Sequence, residues 1–173
     1  GNVSFYNESK SNAVFPTPVI GMIGIIDDIS NTTNISFKNN NDYIIMMGVF
    51  NPQIGGSEYL KIIHNTIEGP ISPCNIENEV GVQNLCLDLT QNKLINSAHD
   101  LSEGGLAINL VESLVNSYSG LGATIQISEK LKDIQLLFGE SQSTIIATVN
   151  EKNLVHVLSL SKQYEVPIRT IGR

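Results

Sequence analysis

The stretch Ser97-Ala98-His99-Asp100-Leu101-Ser102-Glu103-Gly104-Gly105-Leu106-Ala107 gathers an imidazole, two carboxylates, two hydroxyls and a glycine pair. Leu94 to Ala98 leads into it as a short apolar run, and Leu106, Leu110, Leu114 and Val115 leave it at helical spacing. At such a strand-to-helix junction, free backbone amides and the positive end of the helix dipole favour an anion. Gly104 and Gly105 allow close backbone approach to a ligand, and Asp100 or Glu103 could hold a hard cation through oxygen. A magnesium-phosphate site has this composition. An ordinary capped helix has it too, with Ser102 as N-cap, Glu103 as a first-turn acid and His99 as a satisfied loop residue. A hydrolase triad is disfavoured, because these residues lie too close in sequence and no G-x-S-x-G elbow is present.

Two further polar islands interrupt apolar segments. Gly139-Glu140-Ser141-Gln142 separates Leu136-Leu137-Phe138 from a strand-like run, and could meet a hydroxylated or phosphorylated ligand or be a plain loop. Gly55-Gly56-Ser57-Glu58 reads either as a phosphate cradle or as a capped helix start, with the cap favoured. His64 and His156 fall inside helical segments and are read as structural. Cys74 and Cys86 have no metal-ligand spacing, and with no signal peptide the reading is two reduced thiols in the cytoplasm, a disulfide being the alternative.

The elements that must position these islands are predicted from periodicity and punctuation. Strands are expected at Val19 to Ile26, Asp42 to Phe50, Leu94 to Ala98, Ala123 to Ile127, Thr144 to Val149 and Val166 to Ile171. Gly21 and Gly24 suit close backbone approach in the first of these. Helices are expected after Ser57, over Ile76 to Leu89 with Val82, Leu85 and Leu89 on one face, from Leu106, over Glu129 to Phe138, and over Leu154 to Tyr164. The first two strands adjoin in sequence, so the order is not a plain βαβ repeat. The expectation is an α+β fold with one mixed sheet covered by helices.

Bulk properties bound the function. At 173 residues, with 41% hydrophobic and 16% charged side chains, the chain suits one globular domain plus an appendage. Ten Lys and Arg against 17 Asp and Glu give a net charge of −7, so no basic field holds a nucleic acid or an anionic membrane. No run approaches the roughly 20 apolar residues that cross a bilayer. Small phosphorylated ligands remain compatible, because helix N-termini and bound magnesium receive phosphate without net positive charge.

Five segments then resemble one family in order and spacing along nearly the whole chain. They are GNVSFYNE (Gly1 to Glu8), PTPVIGMIGIIDD (Pro16 to Asp28), GGSEY (Gly55 to Tyr59), SAHDLSEGGLA, and LFGESQS (Leu137 to Ser143). The family is phosphoribosylformylglycinamidine synthase, or PurL. The resemblance implies a PurM-like C-terminal domain with α/β/α layers over 19–173, preceded in 1–18 by the tail of an ATP-binding domain and a linker. It implies a ligase of purine biosynthesis that converts formylglycinamide ribonucleotide, ATP and glutamine-derived ammonia to formylglycinamidine ribonucleotide, ADP and phosphate. Magnesium and ATP would be its cofactors. Its partners would be a glutaminase domain or subunit, a small bridging subunit, and the remaining domains of the same chain.

Carried over residue by residue, the resemblance gives Gly1 to ATP, Asn2 to magnesium and Ser4 to the nucleotide substrate. The family's catalytic histidine has no counterpart in this chain, so no catalytic residue is assigned and the chain alone is expected to be inactive. Asp100, Ser102, Glu103, Gly104, Gly105, Glu140, Ser141 and Gln142 would form an auxiliary nucleotide site. Thr144 departs from the Arg that often follows ESQS in the family, which removes an anion contact. The alternatives are another ATP-dependent synthetase of the same superfamily and a non-catalytic scaffold domain.

Overall fold

The structure, a computed structural model, describes residues 20–117 and 120–173, together with the backbone of 7–9 and 12–14. Asn7–Ser9 (β1) and Asn12–Val14 (β2) pair antiparallel as a ribbon of their own. Next come Tyr43–Gly48 (β3), the helices Glu58–His64 (α1) and Ile76–Gln91 (α2), and the strand Ser97–Asp100 (β4). Gly105–Val115 (α3), Asp133–Phe138 (α4), Thr144–Val149 (β5), Glu151–Gln163 (α5) and Ile168–Gly172 (β6) complete the order. The main sheet runs β4-β5-β3-β6.

β3 is central because both of its faces are apolar. Side chains alternate across a strand, so Ile45 and Met47 enter a core with Val82, Leu85 and Leu89 of α2 and Val157 of α5. Ile44 and Met46 enter a second core with Phe37, Leu101, and Leu106 and Leu110 of α3. Helices therefore cover both faces, as the α/β/α layering requires. Side-chain oxygens start the helices where the sequence offers them. Ser57 accepts from the Leu60 amide at 3.4 Å, Asn75 from Asn78 at 2.9 Å and Asn150 from Asn153 at 3.1 Å. Asn65 closes α1 in the left-handed conformation at φ 50°.

The α+β class stands, while every ladder in this sheet is antiparallel where a mixed sheet was expected. β5 and β6 run parallel to each other and are joined by α5, as in a βαβ unit, but β3 lies between them. Interposing one strand turns a parallel crossover into two antiparallel pairings. Other expected strands change as well. Residues 123–127 make a single bridge, Ile125 to Gly172, with the Thr124 and Gln126 amides donating to the Arg173 and Ile171 carbonyls at 2.7 Å each. Val19 lies outside the described residues, and 20–26 join no strand. The strand expected over 94–98 begins later, because Leu94 and Ile95 are spent on the core beneath α2 and α5. Cys74 and Cys86 are free thiols.

Candidate functional site

The end of β4, the loop into α3, the loop between α4 and β5, and one side of α2 enclose a cleft of about 330 Å³. Asp100, Ser102, Glu103, Glu140, Ser141 and Gln142 all line it. The two sequence islands thus share one wall-to-wall space, although about forty residues separate them. Gly104 and Gly105 stand behind this lining and shape the turn. Gly104 has φ 79° and Gly105 φ 68°, and a Cβ on Gly105 would lie 2.6 Å from the Gly139 carbonyl oxygen. Only glycine fits there.

Glu140 ties the site together. Its Oε1 accepts from the Glu58 amide at 2.9 Å, at the start of α1, and from the Gly104 amide at 3.1 Å. Its backbone exchanges hydrogen bonds with Gln53 at 2.9 Å in both directions. A carboxylate therefore already occupies one amide of each glycine-rich segment, Glu58 in one and Gly104 in the other, that could have been offered to a phosphate. This also corrects the expected cap of α3. Gly104, not Ser102, is the N-cap residue, no side chain caps the helix, and Glu103 precedes the first turn. The acceptor for the Gly104 amide arrives from Glu140 instead.

Ser141 is buried and accepts from the Asn51 amide at 3.0 Å, with its hydroxyl 3.1 Å from that of Thr144. It is held as a loop pin. The Gln142 backbone amide donates to Ser72 Oγ at 3.3 Å, and Gln142 lines the cleft. Among the described residues the Asp100 carboxylate has no hydrogen-bond partner, while its backbone carbonyl accepts from Asn109 Nδ2 at 2.7 Å. His99 does not line the cleft. Its Nδ1 lies 3.4 Å from Ser113 Oγ and its Nε2 3.4 Å from Glu112, so it packs on α3. Gly1, Asn2 and Ser4 lie outside the described residues.

Three contributors had weak sequence signals. Glu79 and Gln83 reach the cleft from α2, with Glu79 Oε2 accepting from Ser143 at 2.6 Å. Their spacing of four marks one helix face, but nothing in the sequence says that this face meets the loop after α4. Asn109 is buried inside α3 and holds the last residue of β4, and its Oδ1 has no partner among the described residues. A polar residue inside the apolar stripe of α3 was its only trace.

The electrostatics are one-sided. Glu79, Asp100, Glu103 and Glu140 line the cleft, and among the described residues no Lys, Arg or His does. Lys61, which feels Glu103, is engaged by Glu58 at 2.7 Å, and that hydrogen bond raises the lysine above its usual range. Among the described residues no three His, Cys, Asp or Glu side chains converge to hold a metal ion. Magnesium, however, is commonly held by one or two carboxylates plus substrate phosphates. The donor set fits that arrangement and does not fit a cage made by protein alone.

Residues 39–173 match the family model described as AIR synthase related protein, C-terminal domain. Phosphoribosylformylglycinamidine synthase subunit PurL of Alkaliphilus metalliredigens (strain QYMF) is 41% identical over 172 residues, 99% of this chain. The chain spans 23% of the length of that relative. Among solved structures, Thermotoga maritima PurL complexed with FGAR superposes with a TM-score of 0.69 at 14% identity, over 84% of this chain and 26% of that one. The same protein complexed with ATP gives 0.63 at 14% identity, over 84% and 23%. PurLQS from Thermotoga maritima gives 0.62 at 14% identity, over 84% and 24%. At such identity these neighbours bear on the fold.

Proposed function

The chain belongs to the AIR synthase related protein, C-terminal domain, family, and on that premise we propose that it serves within a phosphoribosylformylglycinamidine synthase of purine biosynthesis. One observation carries this reading: 41% identity to a PurL subunit that runs through 99% of the chain. In this role the whole enzyme takes formylglycinamide ribonucleotide, ATP and ammonia from glutamine, and releases formylglycinamidine ribonucleotide, ADP and phosphate. Thermotoga maritima PurL structures with FGAR and with ATP support the choice of substrates, and the PurLQS assembly supports work alongside further subunits. A glutaminase is the partner that this chemistry needs, and the cytoplasm is its place.

The cleft at Asp100 and Glu140 is the auxiliary nucleotide site of this reading rather than its reaction centre. Its four carboxylates repel a bare phosphate, and the amides beside it already hold Glu140. Asp100 or Glu103 would hold the magnesium that a diphosphate needs here, and the cation would supply the positive charge that the cleft lacks. Ser102, Gly104, Gly105, Ser141 and Gln142 would then set the shape of the pocket. Calorimetric titration with ADP should show binding with magnesium, a loss of at least about tenfold on Asp100→Asn, and none with a chelator. Equal binding with and without magnesium would end the auxiliary-site reading.

Replacing the matched segment of the Alkaliphilus PurL subunit by this chain tests the function as a whole. With ammonium, magnesium and ATP, the chimera should form ADP only when formylglycinamide ribonucleotide is added. The isolated 173 residues should not turn over, because positioning by several domains supplies roughly 7–11 kcal/mol of barrier reduction. Turnover by the isolated chain, or ATP use by the chimera with an unrelated acceptor only, would overturn the assignment.

A further inference from the structure

Asn109 breaks the pattern of its own helix. It lies on the face of α3 that buries Gly105, Leu106, Leu110 and Ser113, and it is itself only 2% exposed. Its Nδ2 donates to the Asp100 carbonyl at 2.7 Å and approaches the His99 carbonyl at 3.4 Å, while its Oδ1 has no partner among the described residues. A buried acceptor left without a donor weakens a fold, and a leucine has the same branching without that need. Stability alone therefore does not account for an asparagine at this position.

What the Asn109 amide holds is the end of an edge strand. β4 is last in the sheet order, and among the described residues β5 is its only strand partner. Backbone groups two residues apart point to the same side of a strand. The Leu101 amide turns inward and donates to the Thr144 carbonyl at 2.8 Å, so Ala98 and Asp100 turn to the open side, where the Ala98 amide donates to the Asn34 carbonyl at 3.0 Å. There Asn109 meets the Asp100 carbonyl. One turn further along α3, Ser113 Oγ lies 3.4 Å from His99 Nδ1 and donates to the Asn109 carbonyl at 3.0 Å. The backbone of Asp100 is thus clamped from α3 on one side and from β5, through Leu101, on the other. Its carboxylate is left free of partners at the lip of the cleft.

We propose that Asn109 is a positioning residue for the Asp100 carboxylate, which it holds stiffly enough that the cation site of the cleft prefers magnesium to calcium. The inference rests on the auxiliary-site reading. Magnesium demands near-octahedral oxygen geometry at about 2.0–2.1 Å, whereas calcium accepts looser sets at about 2.3–2.6 Å. A ligand on a clamped backbone meets the stricter demand. The same ligand on a loosened strand end loses more of its grip on magnesium than on calcium. Groups that orient a metal ligand typically change affinity about 10–100-fold when removed.

Calorimetric titration with ADP in magnesium and, separately, in calcium reads the preference directly. In Asn109→Leu the affinity with magnesium should fall at least about tenfold and that with calcium less than about threefold. Amide hydrogen exchange at 100–102 should quicken at least about tenfold, with 45–47 unchanged. Ser113→Ala, which alters a side chain near His99 but not the one that meets Asp100, should keep the parent's ratio of magnesium to calcium affinity. Asn109→Ala repeats the test without added bulk. Tm losses beyond about 5 °C in both variants would make Asn109 a core residue only and overturn the proposal. Equal losses with the two cations overturn it too, as does an unchanged preference or unchanged exchange, which would leave the cation to Glu103. ADP that binds the parent equally with and without magnesium ends the auxiliary-site reading and this inference with it. Magnesium-dependent binding in the parent, with the same preference in the variants, ends this inference alone.

Discussion

Residues 20–26 and β3 are both short runs rich in isoleucine and methionine, and they meet opposite fates. Ile44, Ile45, Met46 and Met47 are at most 1% exposed, while Ile23 is fully exposed. Composition does not separate them. β3 has β5 on one edge and β6 on the other, with helices above and below, whereas 20–26 has no strand beside it among the described residues. Burial of a strand is therefore a property of its neighbours, and an apolar run announces only that neighbours are needed.

The largest expected effect tests that difference directly. Ile45→Ala should cost about 2–5 kcal/mol in urea denaturation, because a cavity opens between two layers. Ile23→Ala in the isolated chain should stay within about 0.5 kcal/mol. Equal costs would erase the distinction. The glycines sharpen it at the next scale down. Gly48 has φ 99° and a Cβ there would meet the Ser143 carbonyl oxygen at 2.0 Å, so Gly48→Ala should lose more than about 1 kcal/mol. Gly24→Ala in the isolated chain should again change little by the same measurement.

The smallest effect concerns the two thiols. Burial pushes the Cys86 thiol up, partly offset by its hydrogen bond with Thr90, whereas Cys74 is exposed. Iodoacetamide at mildly alkaline pH should label Cys74 well before Cys86, as peptide mapping would show. The folded state resists ionising Cys86. Its contribution to stability is therefore whole below the ordinary thiol range and is lost as pH rises through the elevated folded value. Thermal unfolding from neutral to alkaline pH should show a steeper decline in the parent than in Cys86→Ala.

Much of the body was legible because its signals were local. Thr144–Val149 is found where the sequence placed it, and α1, α2 and α5 begin at side chains whose oxygens cap them. The stripe of Val82, Leu85 and Leu89 is legible as a face, but the opposite stripe of Ile76, Val80 and Leu87 on the same helix is not, because a helix with two apolar faces has little periodic contrast. Strand direction was not legible, since no local pattern says that β3 slips between β5 and β6. At the site, the meeting of 97–105 with 139–142 is what the resemblance implied, since it assigns both polar islands to one auxiliary site. The bond from Glu140 to two distant amides could not be read, because a carboxylate in a loop looks the same whether it awaits a cation or already serves the backbone.

The central place of β3 has a consequence for how the chain comes together. Its register pairs Tyr43 with Val149, across about a hundred residues, and β6 follows later still. Pairings of such sequence separation fold slowly, because loop entropy is lost before any contact rewards it. During synthesis at roughly 5–20 residues per second, β3 leaves the ribosome on the order of 5–20 s before β5 can reach it. For that interval the most apolar strand of the protein is as bare as 20–26, and α2, made in between, is the first surface able to shelter it.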